Sequence, residues 1–185
     1  MPSAVSNFDF DQLSIQIETA ARLAFTEQLA ASAGETLYCF ALYSDEGAMT
    51  LCPSSNTLEF VQQNAPKTDL TYYTLEPFEW KYEMQGADEQ FDLISQQLYA
   101  YCEQIEDDEQ LFKIFQQKLY TTAFEVLLKL VQEDFFARTA GREIFVIFSV
   151  SEYEFEQQKL ADMVTQLNPN NSYKDMYLNW MKSWR

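Results

Sequence analysis

The chain has 185 residues, of which 47% are hydrophobic and 16% aromatic, and its 29 acidic and 12 basic residues give a formal net charge of −17. A chain of this length and composition can bury one sizeable core, which predicts a single domain over residues 1–185. The charge argues against nucleic acid as a direct partner, because phosphates would be repelled. Histidine is absent, which excludes Ser-His-Asp and Cys-His catalysis and removes the commonest metal ligand.

The three cysteines, Cys39, Cys52 and Cys102, follow none of the spacings typical of a metal site. We interpret them as reduced packing thiols, with a bridge between Cys39 and Cys52 across a predicted hairpin as the alternative. The N-terminus has no basic region followed by an apolar core, and no stretch approaches the ~20 apolar residues of a membrane span. We therefore expect a cytoplasmic location, no membrane association, and neither a metal nor another cofactor.

The predicted sheet is organised around residues 144–150, an almost unbroken apolar run rich in β-branched and aromatic side chains. Such a run, bounded by glycine and charge, is typical of a strand covered on both faces. Turn residues after position 43 separate two earlier apolar runs and predict an antiparallel hairpin, whose second strand is predicted to end at Pro53. Together the patterns predict strands near 36–43, 48–52, 70–75 and 143–150.

Apolar residues recur at helical spacing in most of the remaining chain. The first helix is predicted from residue 10 to about residue 33, with Asp9 or Asp11 as its N-cap. A second clean helical stripe covers residues 88–105. Each of these helices has one apolar face, so each is expected to pack on the core.

The longest helix is predicted near 109–137, with Asp107 as N-cap and an apolar face wide enough to lie directly on the sheet. Another helix is predicted after the late strand, with Ser151 as a possible N-cap. The closing segment carries Trp180 and Trp184 at helical steps. These rings are expected to dock on the core, and a partner surface is the alternative.

These elements predict an α+β fold: a small, mostly antiparallel sheet packed by several helices, among them the long central helix. The sequence shows no internal repeat and no linker between domains. It does not predict the oligomeric state.

Three acidic clusters are candidate sites, at residues 45–46, 76–83 and 151–154. In the second, Glu76, Glu79 and Glu83 surround Trp80 and Tyr82. Carboxylates beside aromatic rings bind cations or sugars, or perform acid-base chemistry where burial separates their pKa values. The alternative for this cluster is a solvated or packing role.

The other two clusters lie at predicted strand ends. Asp45 and Glu46 occupy a hairpin tip, where acidic residues commonly stabilise the turn. Glu152 and Tyr153 follow the late strand, and ligands in open sheets bind beyond strand ends. The alternative is that these residues belong to the first turn of a helix capped by Ser151.

Four short segments, read together, resemble a bacterial family filed as domain of unknown function 4303: FALYSDEG at 40–47, LCPSSNT at 51–57, PFEWKYE at 77–83 and FSVSEY at 148–153. The resemblance covers nearly the whole chain, with the segments in the same order. It implies a single α+β domain in the bacterial cytoplasm and brings no established activity. The candidate binding residues are the positions that match its motifs, namely Tyr43, Asp45, Asn56, Trp80, Glu83 and Glu152.

Two functional hypotheses follow. The leading one is a non-enzymatic module that binds a basic protein through an acidic surface edged by Trp and Tyr, similar in character to the immunity proteins that neutralise bacterial toxins. The alternative is a small hydrolase or ligand-binding domain centred on Glu79, Glu83 and Glu152 with Trp80. We assign no catalytic residue.

Overall fold

The computed structural model of the chain describes residues 7–152 and 155–184. Within them, one sheet has the order β2-β1-β3, formed by β1 (Leu37–Asp45), β2 (Leu51–Thr57) and β3 (Phe145–Ser151). β1 runs antiparallel to β2 and parallel to β3. The α+β prediction is confirmed. The sheet is mixed rather than mostly antiparallel, because a long helical crossover, not a hairpin, connects β2 to β3.

Eight α-helices, joined by loops and turns, make up most of the remaining described chain and cover both faces of the sheet. Asp9 caps the first helix, as predicted, by accepting a hydrogen bond from the Gln12 N–H at 2.9 Å. None of the helices in the described ranges is long and apolar enough to cross a membrane. The helices are α1 (Phe10–Ala31), α2 (Leu58–Asn64), α3 (Leu70–Leu75), α4 (Asp88–Gln104), α5 (Glu109–Gln132), α6 (Phe135–Ala140), α7 (Gln157–Leu167) and α8 (Ser172–Met181).

The strand predicted at 70–75 is wrong, because this segment forms α3. Its Tyr and Thr residues have high strand propensity, but propensity is easily overridden by packing. Thr74 and Leu75 are buried together at the end of the segment, which is the pattern of one helical turn, whereas a half-buried strand would alternate. Thr74 also donates its hydroxyl to the Leu70 carbonyl at 2.7 Å.

β2 extends through Pro53, where the sequence predicted its end. The Pro53 carbonyl accepts from the Met84 N–H at 3.1 Å, on the side away from β1. Since a residue's N–H and carbonyl point to the same side of a strand, the proline removes no bond of the β1–β2 ladder. The Tyr82 N–H donates to the Ser55 carbonyl at 3.0 Å, so residues 80–84 cover this edge of the sheet.

The predicted long helix is divided into two. Asp108, not Asp107, caps α5, accepting from the Leu111 N–H at 2.9 Å. The helix ends at Gln132, and a left-handed backbone at Asp134 (φ 55°) redirects the chain into α6. This turn places the ring of Phe136 in the core, 5.0 Å from that of Phe25.

Two hydrophobic clusters occupy the two faces of the sheet, because side chains alternate along its strands. Phe40 and Phe148 point toward α1, α4 and α5, whereas Ala41 and Ile147 point toward α7 and α8. Cys39 lies opposite Asn56, and Cys52 lies opposite Tyr43. The alternative of a Cys39–Cys52 bridge is therefore wrong, and all three cysteines are buried free thiols.

Ser151 is the last residue of β3 and does not cap the next helix, which begins at Gln157 after the N-cap Glu156. At the far end of that helix, Asn168 closes the outer edge of β3. Its side-chain oxygen accepts from the Val146 N–H at 2.8 Å, and its Nδ2 donates to the Val146 carbonyl at 2.6 Å. The amide thus takes the place of a neighbouring strand.

Asn168→Ala is expected to lower the free energy of unfolding by about 2–3 kcal/mol, because the buried N–H and carbonyl of Val146 lose their partners. Urea denaturation measures the change. The control is Asn170→Ala, an exposed position in the same turn, expected to change stability by less than about 0.5 kcal/mol. Equal unfolding midpoints for the two variants would show that the edge contact contributes nothing.

Candidate functional site

Tyr43 and Glu83 are in direct contact on the face of the sheet that α8 covers. The Tyr43 hydroxyl donates to the Glu83 carboxylate, and the Tyr43 ring lies 4.6 Å from that of Phe78. Burial, and then the bond to Glu83, raises the pKa of Tyr43. Burial and the Glu83 charge also raise the pKa of the adjacent Cys52 thiol to about 11, so this cysteine is a neutral packing group at physiological pH.

Asn56 and Trp80 belong to a second, buried group. The Trp80 indole donates to the Thr74 carbonyl at 3.2 Å, and the Tyr38 hydroxyl donates to the same oxygen at 2.7 Å. Asn56 donates its Nδ2 to the Tyr38 hydroxyl at 3.3 Å and accepts from the Lys81 N–H at 3.3 Å. The group ties α3 and the segment after it to β1, which is a structural role.

Asp45 and Glu152 form the third group, at the end of neighbouring parallel strands. Asp45 lies opposite Ser151, the residue before Glu152. The Asp45 carboxylate accepts from the Thr50 N–H at 2.8 Å and so stabilises the hairpin turn. Glu152 is exposed with φ 57°, and Tyr153 lies outside the described residues.

The six predicted site residues therefore divide into three hydrogen-bonded or adjacent pairs. Four surface cavities, with volumes of 270–460 Å³, lie elsewhere, and none of the four is lined by any of the six residues. Among the described residues, no group of three or more Cys, Asp or Glu side chains is arranged to hold a metal ion.

A different surface combines exposed rings with carboxylates. Tyr72 and Trp184 are 39% and 38% exposed. The Tyr72 and Trp180 ring centroids are 6.1 Å apart, and those of Trp180 and Trp184 are 4.9 Å apart. The Tyr72 hydroxyl donates to Glu79 at 3.2 Å. We define the α3–α8 surface as Tyr72, Glu76, Glu79, Trp180 and Trp184.

The surface is positioned by the docking of α8. Asn171 caps this helix by accepting from the Tyr173 N–H at 2.9 Å. The Tyr173 ring stacks on Tyr38 at 5.0 Å, and Tyr177 is buried against Phe145. The closing segment therefore docks on the core as predicted, but through its tyrosines, whereas Trp184 stays 38% exposed. The same docking leaves Trp180 half-buried at the border between the core and solvent.

Glu76 is largely buried, and its charge acts on both Tyr72 and Tyr177. Burial raises its pKa to about 7, the negative charge of Glu79 acts in the same direction, and the Phe78 N–H opposes them. Within the described part of the chain, its Oε1 is buried without a hydrogen-bond partner. Glu76 in turn contributes, after burial, to the raised pKa of Tyr177. A carboxyl group thus lies in an apolar site, partly ionised at neutral pH.

The sequence identified part of this surface. Glu76 and Glu79 were predicted to lie in an acidic and aromatic cluster, but with Trp80, which instead points into the core. Tyr72 was missed because residues 70–75 were predicted as a strand. The available signal was the spacing: on a helix, positions 72 and 76 are one turn apart, and Pro77 begins a short 3-10 turn that brings Glu79 back toward Tyr72.

Glu76→Gln is expected to remove a pH dependence of stability. Between pH 4.5 and 7 the native Glu76 keeps a proton that the unfolded chain has lost, so its contribution falls as pH rises through this window. The free energy of unfolding of the variant should therefore exceed that of the wild type by on the order of 3 kcal/mol at pH 8, and the two values should differ little at pH 4.

Urea denaturation at pH 4, 6 and 8 measures this difference. Glu89→Gln, at an exposed position on α4, is the control and should follow the wild type. A stability difference for Glu76→Gln that is constant over this range would contradict the assignment of Glu76 as a desolvated carboxyl group.

Comparison with known proteins identifies the family. The model of a domain of unknown function, DUF4303, matches residues 17–169. The match includes all three strands and ends before α8. No curated protein and no solved structure matched the chain. Because the match covers most of the 185 residues, the chain belongs to the DUF4303 family.

Proposed function

We propose that the protein is a non-enzymatic interaction module that binds a basic protein, as immunity proteins do, through the α3–α8 surface. One observation carries the proposal: the exposed Tyr72 donates its hydroxyl to Glu79 and is linked through the Trp180 ring to the exposed Trp184, while Glu79 forms no ion pair within the described residues. Trp and Tyr dominate the energetics of protein interfaces because they bury large rigid rings that keep a polar edge.

The charges on this surface favour a cationic partner. Glu76 and Glu79 take part in none of the ion pairs of the described chain. The lysines of α8 and its C-cap have their own partners, since Lys174 donates to the Pro169 carbonyl and Lys182, just after the helix, donates to the Asn179 side chain. The net charge of −17 adds long-range attraction, which speeds association and excludes acidic partners more than it sets affinity.

The enzymatic alternative has less support. Glu83 is held by Tyr43, and Glu79 accepts from Tyr72, while Trp80 donates its indole to a backbone carbonyl inside the core. A hydrolase would need such groups to converge on a space that admits a substrate. We also propose the cytoplasmic location expected from the sequence, since three free thiols suit a reducing compartment.

The probe for this proposal is a ten-residue peptide in which Gly alternates with Arg and Lys. Tyr72→Ala combined with Glu79→Gln is expected to weaken its binding at least about tenfold, because an anchor ring and a carboxylate are lost. Isothermal titration at low salt measures the affinity. Binding should fall steeply as salt rises, since the attraction is electrostatic.

The matched control is Tyr99→Ala combined with Glu103→Gln. These residues form an exposed, interacting tyrosine and glutamate pair on α4, close to the acidic segment 106–109. Both double variants change the net charge equally. If they weaken binding to the same extent, the affinity comes from diffuse acidity and the proposed surface is wrong.

A further inference from the structure

The chain contains an internal example of a cation held between rings and carboxylates. The Arg22 guanidinium lies 4.8 Å from the centroid of the Phe135 ring. It also binds Glu18, at 2.8 Å, and Glu133. This arrangement joins α1 to α5 and α6 through a single planar cation. Lys129 adds a second cation, 2.6 Å from the Glu18 carboxylate and 4.0 Å from that of Glu133, but contacts no ring among the described cation–ring pairs.

A lysine takes part in a simpler arrangement. The Lys81 ammonium lies 5.1 Å from the centroid of the Tyr82 ring and 2.6 Å from one carboxylate, that of Glu35. An ammonium group is a compact, strongly hydrated point charge without a planar face. A guanidinium is flat and has five N–H donors in a fixed fork, so it can stack on a ring and bind two carboxylates at once.

The α3–α8 surface contains the same kinds of groups as the Arg22 site, namely aromatic rings and carboxylates. Within the described residues, no cation pairs with these carboxylates. Glu76 and Glu79 supply two carboxylates, and the charges of both act on Tyr72. The half-buried Trp180 ring, in contact with Tyr72, supplies a stacking face. Lys129 and Arg22 lower the pKa of Glu18, whereas burial raises that of Glu76, so a cation bound at the neighbouring Glu79 would favour the ionised form of Glu76.

We infer that the partner anchors to this surface with an arginine side chain, which lies against the Tyr72 and Trp180 rings and binds the carboxylate of Glu79, while the largely buried Glu76 adds negative charge nearby. The inference rests on the proposed function and specifies its partner. Arginine provides what the surface lacks: a planar cation that stays charged, is weakly hydrated, and tolerates a site that is partly apolar.

Three synthetic peptides of equal length test the inference: Gly alternating with Arg, with Lys, or with citrulline, the neutral isostere of arginine. Tryptophan fluorescence and isothermal titration report binding. The arginine peptide is expected to bind about tenfold more tightly than the lysine peptide, and the citrulline peptide should show no measurable binding. The preference should disappear in Glu79→Gln and in Trp180→Leu, and persist in the control Tyr99→Ala with Glu103→Gln.

The outcomes separate the inference from the function on which it rests. If the arginine and lysine peptides bind equally and both weaken in Glu79→Gln, the surface binds cations but the arginine anchor is wrong. If neither peptide distinguishes the wild type from Glu79→Gln, both proposals fail. Since Trp180 is half-buried, Glu79→Gln keeps the test informative should Trp180→Leu fail to fold.

Discussion

The carbonyl oxygen of Thr74 accepts two hydrogen bonds, from the Tyr38 hydroxyl and the Trp80 indole, and much of the second face of the sheet depends on it. Tyr38 belongs to β1, Thr74 to α3, and Trp80 to the segment that runs along β2. A buried polar group of this kind must be satisfied, so the three elements can take only one mutual arrangement. That arrangement fixes Tyr72 and Glu76, which lie on either side of Thr74 in sequence.

The same arrangement has an energetic cost. Burial of Glu76 removes a carboxyl group from water, and Glu76 takes part in no ion pair within the described chain. By contrast, the partly buried Glu18 carboxylate forms ion pairs with both Arg22 and Lys129. A cation from a binding partner would offset part of the burial penalty of Glu76, which is already present in the free protein.

Much of the architecture was predictable because local patterns agree with it. Asp9 caps a helix with one apolar face, and the apolar run at 144–150 could only be a covered strand or a buried helix. The parallel pairing of β3 was not predictable, since local periodicity does not record which strand is the neighbour. Likewise, the sequence shows that Glu76 is acidic but not that α8, a hundred residues later, buries it. The structure places the six residues chosen from motif resemblance at a turn, at a sheet edge and in the core, and their role in binding stays a prediction.

The three tryptophans provide the most direct test of the central claim, that the α3–α8 surface binds a cationic partner. In a ¹H–¹⁵N spectrum each indole gives its own signal, and Trp80 is a buried internal reference. On titration with the mixed Arg and Lys peptide, the signals of Trp180 and Trp184 should shift together with the backbone signals of residues 72–79, while that of Trp80 stays in place. Shifts confined to the acidic segment 103–109, with all three indoles unmoved, would contradict the account.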